Sequence, residues 1–504
     1  SVENAHALLL DVGYWSEADN PYPVRLGLPT ESPALALPVL PLWWSGPVEP
    51  PVPAPLAIVN VTVVDVREGR LLPDRTVVID HGRIVSVEAG AAAPEGARVL
   101  DGSGRYLIPG LIDAHAHLNH PMAPEVLMPQ FVAHGVLGVR EMASDCERAD
   151  MSSECIDRMK RWRGEIEAGR LVGPRLLALS SFPINPPWDY EVAEEEARAM
   201  VGLLAERGID VLKTYHRLSP EAFRWFVDEA NARGLDAAGH VPLGMTSEAA
   251  SEAGLRSLEH ARDFLFDCFP GSAAFRATAR SQNPPVEIMR EMVEDHDEAR
   301  CAEIFATFIE NDTWYVPTHV TRRMDALADD PDFRDDPRRK YLPDFVWNEW
   351  QADADRMVAL DPSPAGRRAM RGFYETGLEI TGRAHDAGVK IALGTDAGDT
   401  YVFPGSAAHD ELGELVKAGL SPAEALAAGT IRAAELLRVD DDHGTVEPGK
   451  RADLVLLAAD PLEDASHVRE IEAVVFGGTV YERSELDALL AGVVEAVEEI
   501  DPGE

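Results

Sequence analysis

The sequence predicts an α/β fold in which a (β/α)8 TIM barrel carries a small β-sandwich domain formed by both chain ends. Three observations predict it. Apolar strand patterns alternate with helical patterns eight times through the middle of the 504-residue chain. Short β-rich runs stand on both sides of that middle. A chain of this length also exceeds what one ordinary core holds together.

The two chain ends differ from the middle in pattern. Residues 1–55 are rich in proline, which predicts an arm with little regular structure. Residues 56–108 carry β-runs such as AIVNVTVVDV, and matching runs, ADLVLLAAD and AVVFGGTVYE, occur within residues 443–484. These two pieces are predicted to form the β-sandwich. Residues 485–504 are predicted to form a C-terminal acidic helix.

Residues 109–442 are predicted to form the barrel. Its strand candidates are, in order, LIDAHAHL, GVLGVREM, RLLALS, DVLKTYH, LDAAGHV, LRSLEHA, TWYVPTH and VKIALGTDA. Two connections are unusually long, one after His260 and one at about 320–377. Long insertions after barrel strands cover the face where barrel enzymes bind substrate, so both are candidate lids.

The composition excludes several classes of partner. Acidic residues outnumber basic ones 87 to 46, and the net charge is −41. Such a surface repels nucleic acid and anionic membranes, and no apolar run is long enough to cross a bilayer, so a small-molecule substrate is expected. Only six of the 46 basic residues are lysines, which suits a salt-adapted or a GC-rich source. The sequence leaves the oligomeric state open, and an oligomer is possible.

The four cysteines leave the redox state open. Cys146–Cys155 and Cys268–Cys301 are the two pairings considered, with unpaired thiols as the alternative. The chain begins at Ser1, as it would if a leader had been removed, so a secreted or periplasmic location is favoured over a cytoplasmic one.

Histidines and one aspartate recur at the carboxyl ends of the predicted strands. His115 and His117 are two residues apart on the first strand and therefore share a face. His240 ends the fifth strand, His260 the sixth and Asp396 the eighth. Barrel geometry brings these ends together around one axis, which predicts a metal site.

Lys213 stands at the end of the fourth strand, in DVLKTY. Burial there makes an ammonium costly unless it is matched or neutralised. A lysine of lowered pKa can react with CO2 to give a carbamate, an anion able to bridge two divalent ions. A lysine paired with a neighbouring carboxylate is the alternative.

The segments LIPGLIDAHAHL, VLKTYHRLSPEAF, AAGHVP, SLEHA, GTDAG and GTVEPGKRADLVLL resemble the amidohydrolase superfamily. They are most similar to its imidazolonepropionase-related branch, which includes metal-dependent dipeptidases and N-acyl amino acid hydrolases. The resemblance implies two divalent metal ions, zinc by default. His115, His117 and Asp396 would hold one ion, His240 and His260 the other, and carboxylated Lys213 would bridge them.

The resemblance implies a dinuclear hydrolase that cleaves amide bonds of peptide-like or N-acyl amino acid substrates with metal-activated hydroxide. Lys213 and Asp396 are the expected catalytic residues, with Asp396 as the base. The alternative is hydrolysis of a cyclic amide, lactone or ester by the same site, as in toxin or xenobiotic degradation.

Further residues are candidates for substrate contact: Tyr215, His319, Arg322 and His409. Tyr215 is chosen because it shares a strand face with Lys213, and Arg322 because arginine binds carboxylates. Arg140 is expected to form an ion pair with Asp113 or Glu141, with a substrate carboxylate as its alternative partner.

Overall fold

The computed structural model describes residues 55–120, 122–145 and 155–501, with no side chain given for Cys155. Nearly all of the predicted proline-rich arm, the Cys146–Cys155 pairing and residues 502–504 of the predicted acidic helix lie outside the described residues. Within them the chain is a mixed α/β fold, as predicted. None of the described helices is both long enough and apolar enough to cross a membrane.

Strands occupy both chain ends and alternate with helices between them. The strands are β1 (Leu56–Asp65), β2 (Arg70–Asp80), β3 (Arg83–Ala89), β4 (Arg98–Asp101), β5 (Tyr106–Pro109), β6 (Leu111–Ala116), β7 (Val136–Glu141), β8 (Arg175–Leu179), β9 (Val211–Thr214), β10 (Asp236–Gly239), β11 (Ser257–Glu259), β12 (Trp314–Val316), β13 (Lys390–Ile391), β14 (Leu454–Leu457), β15 (Ile471–Phe476) and β16 (Thr479–Glu482).

The α-helices are α1 (Met128–Ala133), α2 (Cys155–Glu167), α3 (Glu194–Arg207), α4 (Pro220–Ala232), α5 (Ser247–Glu252), α6 (Asp263–Asp267), α7 (Ser272–Thr278), α8 (Val286–Glu294), α9 (Glu298–Glu310), α10 (His319–Leu327), α11 (Pro331–Arg334), α12 (Asp344–Leu360), α13 (Pro364–Ala387), α14 (Ser406–Ala418), α15 (Pro422–Ala428), α16 (Ile431–Leu436) and α17 (Arg483–Ile500). Shorter helical turns occur at Ala123–Leu127, Pro337–Tyr341 and Ala465–Arg469.

One sheet joins the two chain ends. Its strand order is β16-β15-β14-β5-β1-β2-β3, and β4 also pairs with β1. The joint is the antiparallel pairing of β5 with β14, where Pro109 lies opposite Leu454. The predicted association of the two ends is therefore present, whereas the second layer that a sandwich requires stays a prediction.

The eight strands predicted for the middle of the chain are β6 to β13. They form two parallel sheets, β6-β7-β8 and β9-β10-β11-β12-β13, in which each strand pairs with the next in sequence. Strands this short, buried on both faces and separated by helices, suit parallel pairing. Within each of these two sheets, the carboxyl ends of all strands therefore lie at the same edge.

Main-chain hydrogen bonds connect the edges of the two parallel sheets. Beside β8, the amide of Ser181 donates to the Val211 carbonyl at 2.8 Å. At the other edge, the amide of Ala114 donates to the Leu393 carbonyl at 2.9 Å. The carboxyl ends of β6 and β13 are thereby brought next to each other.

The long connection after His260 is helical and cross-linked. It contains α6 to α9, and a disulfide joins Cys268 at the end of α6 to Cys301 in α9, with the two Cα atoms 5.1 Å apart. Of the two pairings that the sequence leaves open, this one is formed. It closes a loop of 33 residues and so restricts the long connection that follows β11.

Candidate metal site

The six predicted ligands lie at or just beyond the carboxyl ends of the parallel strands. His115 lies in β6 and Lys213 in β9, while the others follow their strands directly or by a short segment. The complete set is His115, His117, Lys213, His240, His260 and Asp396, called here the Asp396 cluster. The predicted convergence is therefore observed.

The carboxylate of Asp396 lies at the centre of three imidazoles. Its Oδ1 is 2.8 Å from His117 Nε2 and 3.3 Å from His115 Nε2, and its Oδ2 is 3.6 Å from His260 Nδ1. One carboxylate, which follows the eighth strand of the parallel series, thus touches residues from the first and sixth strands. That arrangement is the one a shared cation would need.

Lys213 and His240 complete the cluster. The Nζ atom of Lys213 lies 2.9 Å from His115 Nε2, and it is almost fully buried. The ring of His240 lies 4.5 Å from that of His260, edge to face. The six side chains are therefore contiguous.

The backbone at the site adopts conformations that are rare for its residue types. His260 has a φ of 73° and Asp396 a φ of 66°, both in the left-handed region. Such conformations in residues other than glycine cost about 1–3 kcal/mol and concentrate at functional sites. Gly394 is required nearby, because a Cβ there would lie 2.9 Å from the Cβ of His115.

Burial sets the protonation of the cluster. It holds the pKa of His115, His240 and His260 well below the usual value, so these rings are neutral and able to bind a metal. Burial also lowers the pKa of Lys213 to about 8. For Asp396, burial alone would raise the pKa, but the interactions of its carboxylate with His115, His260 and His117 outweigh burial and hold the pKa well below its usual value.

The donor set fits a divalent metal ion. In His115, His117 and Asp396, one ligand atom from each lies within 4.8 Å of the others. Neutral imidazoles with an ionised carboxylate suit zinc, and they also suit other transition metals. The predicted metal site is therefore supported for this triad, while the metal's identity, the second ion and carboxylation of Lys213 remain predictions.

Glu259 is a functional residue that the sequence reasoning missed. Its Oε2 lies 2.8 Å from His115 Nδ1, so the other ring nitrogen of His115 is left to face the cluster. The guanidinium of Arg140 donates to Oε1 of the same carboxylate at 2.7 Å. The predicted pairing of Arg140 with Asp113 or Glu141 is therefore wrong, because Glu259 occupies the position facing it. The segment SLEHA contains a signal for this role, because Ser257 and Glu259 are two residues apart on a strand and therefore point to the same face.

Asp113 holds β6 to the segment that carries Asp396. Its carboxylate accepts hydrogen bonds from the Thr395 hydroxyl at 2.6 Å and from the Thr395 amide at 3.0 Å. It also accepts one from the His115 amide at 3.1 Å. Burial raises the pKa of Asp113 to about 7. Its role is to fix the two strand ends whose side chains meet in the cluster.

Of the predicted substrate contacts, the structure brings Tyr215 to the cluster. Its ring stacks on His240 with centroids 4.0 Å apart and planes inclined by 25°. The ring therefore lines the cluster on the His240 side, which agrees with the shared strand face expected from the sequence. Its contact with a substrate stays a prediction.

The other three predicted contacts lie among the surrounding helices and are not brought to the cluster. His319 is buried at the start of α10, with its Nε2 2.9 Å from the Thr381 hydroxyl. Arg322 forms an ion pair with Asp325 at 2.5 Å. His409 has its Nε2 2.7 Å from the carbonyl of His134, which precedes β7 and so lies at the amino end of that strand.

Comparison with known proteins gives partial matches in sequence and broad matches in fold. The Amidohydrolase family model matches residues 339–481. The imidazolonepropionase of Streptomyces griseus subsp. griseus is 25% identical over 416 residues, which are 77% of this chain and 87% of that protein. These matches support the predicted resemblance to the amidohydrolase superfamily and to its imidazolonepropionase-related branch.

Other sequence matches within the superfamily are short. Adenine deaminase 3 of Rhizobium meliloti is 40% identical over 69 residues, which are 13% of this chain and 12% of that enzyme. The chain covers only 12–14% of the adenine deaminases that it matches. These short matches indicate similarity to the family and do not indicate a particular activity.

Solved amidohydrolase structures share the fold over most of this chain. A structure described as a prolidase from Bifidobacterium longum is 24% identical, with a TM-score of 0.61, and the match covers 88% of this chain and all of that one. A bottromycin amidohydrolase is 21% identical, with a TM-score of 0.65, over 88% of this chain and 90% of that one. At this identity the likeness is one of fold.

Proposed function

We propose that this chain is a dinuclear metal-dependent hydrolase that cleaves amide bonds of peptide-like substrates, N-acyl amino acids among them. One observation carries the proposal. Four histidines, a buried lysine and a central carboxylate converge at the carboxyl ends of parallel strands. The relatives support the same class, since they include an imidazolonepropionase and structures described as a prolidase and a Xaa-Pro dipeptidase.

The proposal includes the finer fold. A closed (β/α)8 barrel formed by β6 to β13 is supported by the main-chain hydrogen bonds from Ser181 to Val211 and from Ala114 to Leu393. The solved neighbours support it as well. Closure places every carboxyl strand end on one face, where barrel enzymes carry their active sites.

In the proposed site, His115, His117 and Asp396 hold one ion and His240 and His260 the second. A carboxylated Lys213 would supply these ions with an anionic oxygen ligand. The Lys213 ammonium first loses one proton, and the neutral Nζ then bonds to the carbon of CO2. One C=O π bond of CO2 opens and a second proton leaves to solvent, so a buried cation becomes a carbamate anion. When bound, the ions supply Lewis-acid activation of water and of the scissile carbonyl.

Asp396 moves the proton in the proposed reaction. Its carboxylate is central to the cluster and 14% exposed, so one oxygen is open to a water that enters beside His117. That oxygen accepts the proton of the attacking water and later donates it to the nitrogen of the leaving amine. Glu259 holds His115 in one tautomer, and Tyr215 packs against His240.

An exported location is part of the proposal. The disulfide between Cys268 and Cys301 supports it, because such bonds persist mainly outside the reducing cytosol.

The test is a hydrolysis panel with zinc-loaded protein. Dipeptides and N-acyl amino acids are assayed beside lactones and esters, and metal per chain is measured by mass spectrometry. We expect amide turnover with two ions per chain. Two ions with turnover confined to lactones or esters would make the substrate class wrong. Protein that takes up no metal would make the site wrong.

A lysine variant tests the bridging role. We expect Lys213→Ala to hold at most one ion and to lose turnover at least about a hundredfold, as removal of a positioned catalytic group does. A short carboxylic acid added to Lys213→Ala should restore part of the activity by supplying the missing carboxylate. Lys390→Ala is the control, because Lys390 is exposed and pairs with Asp312. Two ions retained in Lys213→Ala would contradict the bridge.

A further inference from the structure

Arg217 is a buried cation that has no anionic partner among the described residues. Its side chain belongs to a residue only 6% exposed, and its buried Nε has no hydrogen-bond partner. Among the described residues, no carboxylate lies within ion-pair distance of its guanidinium. Acidic residues outnumber basic ones 87 to 46, and most buried arginines are paired. A buried charge left unpaired is costly, so its retention indicates a ligand.

The backbone around Arg217 is fixed on both sides. The amide of Arg217 donates to the side-chain oxygen of Asn185 at 3.1 Å. The carbonyl of His216 accepts from the amide of Leu243 at 2.9 Å. These bonds tie the segment after β9 to the segments after β8 and β10. The backbone that carries the Arg217 side chain is therefore held by the scaffold.

A second guanidinium shares an aromatic surface with the first. The guanidinium carbon of Arg217 lies 5.8 Å from the centre of the Trp188 ring, and that of Arg280 lies 5.3 Å from it. Trp188 is 37% exposed and Arg280 is exposed beside it, whereas Arg217 is buried on the inner side of the group. An aromatic ring positions guanidinium groups without neutralising them.

This group adjoins the Asp396 cluster through a series of rings. The centroid of Trp188 lies 6.1 Å from that of His216, and His216 lies 6.4 Å from His240. Tyr215 fills the remaining side, 4.0 Å from His240. The rings of Trp188, His216 and His240 therefore form a continuous row from Arg217 to the cluster.

The cations expected from the sequence to hold a substrate carboxylate are already neutralised. Arg322 pairs with Asp325 at 2.5 Å. Its neighbour Arg323 pairs with Asp410 at 3.1 Å and Glu414 at 3.0 Å. Among these arginines, Arg217 alone offers an uncompensated charge beside the cluster.

We propose that Arg217, with Arg280 on the same Trp188 ring, binds a carboxylate of the substrate, so that the site selects anionic amides such as N-acyl amino acids. The inference rests on the proposed amide hydrolysis and assigns its recognition element. Arginine suits the task because its planar fork binds carboxylates through two parallel hydrogen bonds.

The test compares the hydrolysis of an N-acyl amino acid with the hydrolysis of its C-terminal carboxamide. Cleavage of the acyl bond is monitored by chromatography. We expect the native chain to prefer the acid in kcat/KM, and Arg217→Gln to lower that preference about tenfold to a hundredfold through KM. Arg217→Lys should retain part of it. Arg224→Gln is the matched control and should leave the preference unchanged, because Arg224 is exposed on α4. A native chain that cleaves both compounds equally well would overturn the inference and leave amide hydrolysis standing.

Calorimetry separates this inference from the proposed function. If the native chain cleaves neither compound, binding of the acid and of the carboxamide is measured on the zinc-loaded protein. Selective binding of the acid that Arg217→Gln abolishes supports the subsite even though amide hydrolysis fails. Equal binding of the two compounds, or acid binding unchanged in Arg217→Gln, overturns it.

Discussion

Two groups of charged side chains, each arranged around one largely buried aspartate, differ in how their charges are balanced. In the first, Asp410 accepts from Arg469 at 2.6 Å, from Arg338 at 2.9 Å and from Arg323 at 3.1 Å, while Arg323 also pairs with Glu414. We call these five residues the Asp410 network. In the Asp396 cluster, by contrast, Lys213 meets an imidazole nitrogen, and one carboxylate serves three histidines.

The difference separates a structural role from a binding role. Burial alone would raise the pKa of Asp410, but the charges of Arg338 and Arg323 outweigh it and hold it well below its usual value. Every charge of the network thus has its counter-charge inside the protein. In the Asp396 cluster, nitrogen and oxygen atoms that can act as metal ligands point at one another. A bound cation would coordinate them.

The largest expected effect is on catalysis. Asp396→Asn should lower kcat by about 10³-fold, because an amide cannot accept the proton of the attacking water. It should still hold metal, and its thermal unfolding midpoint should not fall. Steady-state kinetics, metal analysis and calorimetry measure these three properties. A kcat near that of the native chain would remove Asp396 from the role of base.

Asp410→Asn should have the opposite profile. Removing one partner of a buried ion pair costs about 3–5 kcal/mol of unfolding free energy, because the arginines around it lose their counter-charge. We expect denaturant unfolding to show that loss while kcat stays unchanged. A stable variant with lowered kcat would mean that the two groups do not differ in role as stated.

The next prediction concerns pH and Glu411, which lies on α14 beside Asp410. Burial raises the pKa of Glu411 from 4.5 to about 8. Between those values the folded chain keeps a proton that the unfolded chain has lost, so this contribution to stability declines as pH rises. Two pH units correspond to about 2.7 kcal/mol.

The measurement is the unfolding free energy at pH 6 and pH 8 for the native chain and for Glu411→Gln. We expect the native chain to lose about 2–3 kcal/mol more over this interval, because glutamine does not titrate. Equal losses would show that Glu411 is ionised throughout.

The smallest effect is expected at Glu259. Glu259→Gln should weaken metal binding about tenfold to a hundredfold, because the amide no longer holds the His115 tautomer as firmly. Competition with a chelator measures the affinity, and Glu447→Gln is an exposed control. An unchanged metal affinity would mean that Asp113 and the backbone position His115 without help from Glu259.

The sequence predicted the positions of the strands well and the contact partners of individual side chains less well. All eight strand candidates of the middle correspond to β6 to β13, because apolar runs of that length bounded by polar residues have few alternatives. The partner of Arg140 was predicted wrongly, since Asp113 and Glu141 are near it in sequence whereas Glu259 reaches it through strand packing. Arg322 was expected to face substrate, but a helical turn brings Asp325 against it.

The sequence by itself determined which residues could bind metal and that they would meet. His115, Lys213, His240, His260 and Asp396 each end an apolar run, and parallel strands place such ends at one edge. Tertiary structure alone decided which side chains hold them and which cations stay unpaired. Glu259 on His115 and the uncompensated Arg217 depend on contacts between segments far apart in the chain, and no local pattern encodes those contacts.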